Sequence, residues 1–119
     1  MDLYEAMSTL RAVRRLRPDP IDEAVIERVL TAATWAPTGG NTQPWRIIAV
    51  TDAELKQALQ DLYKPHWDAY VPGYEARLGQ MPEDAKSSSI KALDAGNYLA
   101  AHMHEAPLIA IFCFNPKLM

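Results

Sequence analysis

Four arginines, Arg11, Arg14, Arg15 and Arg17, stand within seven residues, and no acidic residue interrupts them. A guanidinium is a planar fork of donors that matches phosphate geometry, so several on one arm can converge on a phosphate monoester. A solvated basic edge is the plainer outcome of the same pattern. Nucleic acid is the weaker anionic partner, because no aromatic residue is interleaved with the arm and the net charge is −3. The second segment with chemical potential is Ala36-Pro37-Thr38-Gly39-Gly40-Asn41-Thr42-Gln43-Pro44-Trp45. Two glycines let the backbone approach a flat ligand closely. Thr38, Asn41 and Gln43 offer donors and acceptors for the polar edge of a heterocycle, and Trp45 can pack beneath. On composition alone, an ordinary loop with structural asparagine capping fits as well.

Other candidates are weaker. His102 and His104 are two apart, which on a helix sends them to different sides and makes a poor metal pair. Cys113 alternates with Phe112 and Phe114 and reads as a buried core thiol. There is no nucleophile elbow, phosphate-binding P-loop, dinucleotide fingerprint or zinc spacing. No catalytic side chain and no metal site is expected.

The elements that must position these segments follow from periodicity. Asp2 caps a short opening helix to Thr9, and the arm from Leu10 to Arg17 is extended or irregular, ending against Pro18 and Pro20. Asp22 to Trp35 is the clearest helix, with Ile21, Val25, Ile26, Val29, Leu30 and Ala33 as its apolar stripe and Pro37 as its stop. Trp45 to Thr51 is a strand apolar on both faces, and therefore central. Asp52 caps a helix from Ala53 to Tyr63 that turns Leu55, Ala58, Leu59 and Leu62 inward. Lys64 to Asp84 is punctuated by Pro65, Pro72, Gly73, Gly79 and Pro82 and reads as irregular. Ser87 to Glu105 is helical, with Ser87, Ser88 and Ser89 as possible caps, and Pro107 to Phe114 is a second buried strand. The order implies an α+β or α/β layered domain.

Composition bounds the rest. With 119 residues, 49 % hydrophobic and 23 % charged, the chain suits one soluble globular domain with a single modest core. A single cysteine and an N-terminus without basic and apolar regions point to a reducing, cytoplasmic setting. The longest apolar run, Ala106 to Phe114, is too short to span a bilayer, so no membrane partner is expected.

Together, the arm, the helix after it and Ala-Pro-Thr-Gly-Gly-Asn-Thr-Gln-Pro-Trp-Arg-Ile resemble the N-terminal half of the FMN-dependent nitroreductase family. Its usual signature is an Arg-Arg-Ser-x-Arg-type segment followed, after one helix, by an Ala-Pro-Ser-x-x-Asn-x-Gln-Pro-Trp loop. Thr38 replaces the commoner serine and keeps the hydroxyl. The resemblance runs from about Leu3 to Phe114, and implies an α+β nitroreductase-like fold with a central sheet flanked by helices. Residues 1–119 would form a single domain that is the N-terminal portion of the usual one.

The resemblance also implies roles. Arg11 and Arg14 fall where the arm holds the FMN phosphate and ribityl chain. Ala12 falls on the usual serine and can offer only backbone. Leu10 falls where many members carry the first arginine, and Arg15 is the candidate to compensate. Pro37, Thr38 and Gly39 fall where the loop packs on the flavin, typically from the partner subunit of a homodimer. Asn41 belongs to that cofactor loop, although it and Gln43 more often brace it than touch the flavin. The implied activity passes a hydride from NADH or NADPH through FMN to a nitroaromatic, quinone or similar small-molecule acceptor. His66, Trp67, Tyr70 and Tyr74 either line a substrate channel or, as the plainer reading has it, pack between helices. A reading of another class is a truncated, non-catalytic remnant that binds flavin weakly or acts only through dimerisation.

Overall fold

The computed structural model describes residues 2–118. Helix α1 spans Leu3–Thr9 and is capped by Asp2, whose carboxylate accepts from the Glu5 amide at 2.8 Å. The arm leaves it in extended form, and α2 (Glu23–Thr34) starts at Asp22, which accepts from the Ala24 amide at 2.8 Å. Both short acidic caps satisfy amides that a helix start leaves unpaired. Strand β1 (Trp45–Val50) pairs antiparallel with β2 (Ile109–Phe114), from Trp45 opposite Phe114 to Val50 opposite Ile109. Between them runs a helical hairpin of α3 (Ala53–Gly79) and α4 (Glu83–His102). The result is an α+β arrangement.

Three expectations need correction. Lys64 to Asp84 is not irregular, because α3 runs unbroken for 27 residues through Pro65 and Pro72. An interior proline removes one helical hydrogen bond and typically costs about 3 kcal/mol. Here an aromatic ladder works against that cost. Tyr63, Trp67, Tyr70 and Tyr74 lie at helical spacing with ring centroids 6.3, 5.5 and 5.8 Å apart in succession. Trp67 sits directly on Gly96 of α4, where a Cβ would fall 2.4 Å from the indole. Secondly, α4 begins at Glu83 after Pro82, so Ser87, Ser88 and Ser89 lie inside the helix and do not cap it.

The third correction concerns the buried faces. Leu55 and Leu62 are exposed, whereas Lys56 and Gln60 of the same helix are buried. Lys56 Nζ donates to the Ala106 carbonyl at 2.7 Å, and Gln60 Oε1 accepts from the His104 amide at 3.0 Å and from His104 Nδ1 at 2.7 Å. Two polar side chains thereby hold the Met103–Glu105 turn that leads into β2, and burial is tolerated because each is bonded. Cys113 is exposed, as are Phe112 and Phe114, so β2 is not buried on both faces. Val25 and Val29 of the α2 stripe are likewise exposed.

The buried apolar residues include Val50, Leu93, Ala100 and Ala106, which places the core where the α3–α4 hairpin meets the strand ends. The surface is large for the mass. It measures 9262 Å², against roughly 6,400 Å² for a monomer of this size. The radius of gyration is 17.7 Å, against about 13.5 Å for a compact chain of this length.

Candidate functional site: an arginine arm and a braced glycine loop

The arm and the loop are built on opposite principles. In the arm, Arg11 Nη1 donates to the carbonyls of Ser8 at 3.0 Å and Leu10 at 2.7 Å. Arg14 Nη1 donates to the Ala12 carbonyl at 3.2 Å, which is all that fixes Ala12 through a side chain. Among the described residues neither guanidinium meets a carboxylate, and Arg14 is half-buried. A half-desolvated cation with only neutral acceptors is poised to take an anion. Arg17 pairs with Asp19 at 3.2 Å. Arg15 is committed elsewhere, to Asp94 at 3.3 Å and to the face of Tyr98 at 4.0 Å from the ring centroid.

The loop braces itself. Thr38 Oγ1 accepts from the Gln43 amide at 3.1 Å and from Gln43 Nε2 at 3.2 Å. Gln43 Nε2 also donates to Asn41 Oδ1 at 2.7 Å, and Gln43 Oε1 accepts from Trp45 Nε1 at 2.9 Å. The backbone adds a tight turn, in which the Asn41 amide donates to the Thr38 carbonyl at 2.9 Å. Gly40, Asn41 and Gln43 all have positive φ, at 59°, 54° and 48°. Glycine takes that conformation freely and asparagine tolerates it, but glutamine adopts it only when other contacts enforce it. Gln43 is therefore the hub of the loop. The motif spacing hinted at this residue, whereas the strain at it was not readable. Gly39 has open space where a side chain would be, so its backbone can be approached by a flat ring.

Among the described residues the two segments share no polar contact within one chain. No hydrogen bond or ion pair links Arg11, Ala12, Arg14 or Arg15 to Pro37, Thr38, Gly39 or Asn41 among the described residues. Arg14 lies instead on a groove of about 380 Å³ between α3 and α4, beside Tyr63, Trp67, Tyr70 and Tyr74. Beyond the loop, Trp45 and Ile47 line a cavity of about 520 Å³ together with Ile26 and Leu30 of α2.

Most of the remaining candidate side chains have internal partners, His66 having none among the described residues. Trp67 Nε1 donates to Asn97 Oδ1 at 2.8 Å, Tyr74 donates to the Ser89 carbonyl at 3.3 Å, and Arg77 donates to the Tyr70 hydroxyl at 3.1 Å. His102 Nδ1 donates to Glu105 at 2.8 Å, as His104 does to Gln60. That hydrogen bond holds the Glu105 carboxyl below its ordinary value, opposed by desolvation and assisted by the charges of His102 and His104.

Comparison with known proteins gives the family. The family model described as "Nitroreductase family" matches residues 8–117. The chain belongs to the nitroreductase family. One curated relative, the 5,6-dimethylbenzimidazole synthase of Rhodobacter capsulatus, is 34 % identical over 106 residues, covering 88 % of this chain and 50 % of that protein. Iodotyrosine deiodinase 1 of Rattus norvegicus is 29 % identical over 112 residues, covering 93 % of this chain and 36 % of that protein. The nitroreductase-family chain thus spans half or less of the length of these two relatives. Among solved structures, the FMN and NADPH-dependent nitroreductase of Sphigopyxis sp. strain HMH aligns with a TM-score of 0.60 at 24 % identity, over 98 % of this chain and 61 % of that one. At that identity the likeness carries the fold, which is the nitroreductase fold expected from the two motifs.

Proposed function

We propose that this chain supplies the arginine arm and the Pro37–Trp45 loop of an FMN site in an oxidoreductase of the nitroreductase type. The observation that carries the reading is the state of the arm. Arg11 and Arg14 present guanidinium donors with no carboxylate partner among the described residues, in a chain that matches the family model from residue 8 to 117. The donor chemistry fits a phosphate monoester. Arg11 and Arg14 would hold that phosphate, with the Ala12 backbone beside them, while Pro37, Thr38, Gly39 and Asn41 would present a rigid surface to the ring system. FMN, when bound, supplies hydride acceptance from NADH or NADPH and hydride delivery to a nitroaromatic, a quinone or a similar small molecule. The chain's own work is to bind, orient and exclude water.

The lack of polar contact between arm and loop among the described residues is compatible with a homodimer, in which the loop of one subunit serves the arm of the other. The surface supports it too. Leu3, Met7, Leu10, Val13, Val25 and Val29 are all exposed, and exposed apolar surface of this extent is what an interface would cover. No helix among the described residues is long and apolar enough to cross a membrane. The test is a visible spectrum of the purified protein with added FMN, followed by NADH or NADPH under anaerobic conditions. A bound yellow flavin that bleaches is expected. Binding without bleaching would favour the non-catalytic alternative, and no binding at micromolar FMN would contradict the flavin reading.

A further inference from the structure

Arg15 differs from its neighbours in the arm. Its guanidinium pairs with Asp94 Oδ2 at 3.3 Å and lies 4.0 Å from the centroid of the Tyr98 ring. Tyr98 in turn stacks on His102, with centroids 4.2 Å apart and planes 18° from parallel, and His102 is bonded to Glu105 at 2.8 Å. Asp94, Tyr98 and His102 are four residues apart, so α4 carries them on one face as a strip. The other arginines of the arm add no long-range ion pair among the described residues, because Arg11 and Arg14 bond to carbonyls close to them in sequence and Arg17 pairs with Asp19.

We infer that Arg15 is a positioning residue that clamps the arm to the Asp94–Tyr98–His102 face of α4, and is not itself a phosphate ligand. This rests on the flavin reading above for its effect on binding, but the clamp itself is a property of the chain alone. Each contact is modest by itself. The ion pair is exposed on both sides, and exposed pairs and surface cation–π contacts are each weak. Their sum, acting on a segment with no other long-range ion pair among the described residues, sets how much of the time Arg14 stands ready to receive an anion. A population shift of that kind scales the apparent affinity directly.

The test is a double-mutant cycle with two readouts in the whole chain, FMN affinity and the NMR backbone order parameters of the arm from Arg11 to Leu16. Arg15→Ala, Asp94→Ala and Tyr98→Leu should each weaken FMN by about threefold to tenfold, the range these weak contacts allow. Each should also lower the order of the arm, with the urea midpoint of the whole chain unchanged. Arg15→Ala combined with Tyr98→Leu should add less than about twofold to either alone, because both break the same contact. Arg15→Lys, which keeps the charge for Asp94, should fall between wild type and Arg15→Ala. Asp94 is exposed, so its variant probes the clamp without threatening the fold. If Asp94→Ala and Tyr98→Leu leave affinity and arm order untouched while Arg15→Ala weakens FMN, Arg15 is a direct ligand and the inference fails. If no variant lowers arm order, the clamp does not exist. If wild type binds no FMN, the flavin reading fails, and arm order alone still decides the clamp.

Discussion

The loop from Ala36 to Pro44 and the arm from Leu10 to Arg17 serve one proposed ligand, yet they are held in contrary ways. The loop closes on itself. Thr38, Asn41, Gln43 and Trp45 share four hydrogen bonds within eight residues, and that network holds Gln43 at a positive φ. The arm has no such network among the described residues, and its long-range hydrogen bond and cation–π contact run through Arg15 to α4. A flat ring needs a surface that does not move, so local over-determination suits the loop. A phosphate needs donors that are not already spent, so the arm keeps Arg11 and Arg14 out of ion pairs and delegates anchoring to a third arginine.

The contrast can be broken most forcefully at Gln43. Gln43→Ala removes three side-chain hydrogen bonds and leaves the Trp45 indole N–H without its acceptor. A loss of about 2 kcal/mol is expected in chemical denaturation, whereas Arg11→Ala in the arm should stay within about 0.5 kcal/mol. Equal losses at the two positions would erase the distinction. Next comes Gly40, whose φ is +59°. Gly40→Ala should cost about 1 kcal/mol through backbone strain. Gly39→Ala meets nothing within 4 Å, so stability should change by less than about 0.5 kcal/mol. FMN titration should nevertheless weaken if that backbone faces the ring.

The smallest effect lies at the end of the arm's anchor. The Glu105 carboxyl is held below its ordinary value by its bond to His102. A depressed carboxylate contributes stability that is present above its unfolded value and lost as pH falls through the folded one. The native chain should therefore be slightly more stable than Glu105→Gln near pH 6, and the two should converge on acidification below that range. A gap that widens with acid would show the sign to be wrong.

Much of this was legible in the residues. Asp2, Asp22 and Asp52 mark three helix starts, and each carboxylate accepts an amide as that signal implies. Both strands could be read from their apolar runs, and the arm and loop from arginine spacing and paired glycines. What could not be read had physical reasons. Pro65 and Pro72 argued against a helix, and only the 63, 67, 70, 74 spacing of the aromatics, set against Gly96 far along the chain, outweighs them. The burial of Lys56 and Gln60 depends on carbonyl and imidazole partners about 50 and 44 residues away. The division of labour among the arginines was equally hidden, because Arg15 finds Asp94 79 residues on. Long-range partners decide such roles, and a local pattern holds no trace of them.

Among the described residues the guanidinium of Arg14 meets no carboxylate, and on the proposed reading it is kept for a phosphate. The affinities of wild type and Arg14→Ala for FMN and for riboflavin, which differ only in that group, decide this. Wild type should prefer FMN, and Arg14→Ala should lose about tenfold or more in FMN affinity while riboflavin changes little. Equal losses for both flavins, or no preference in wild type, would contradict it.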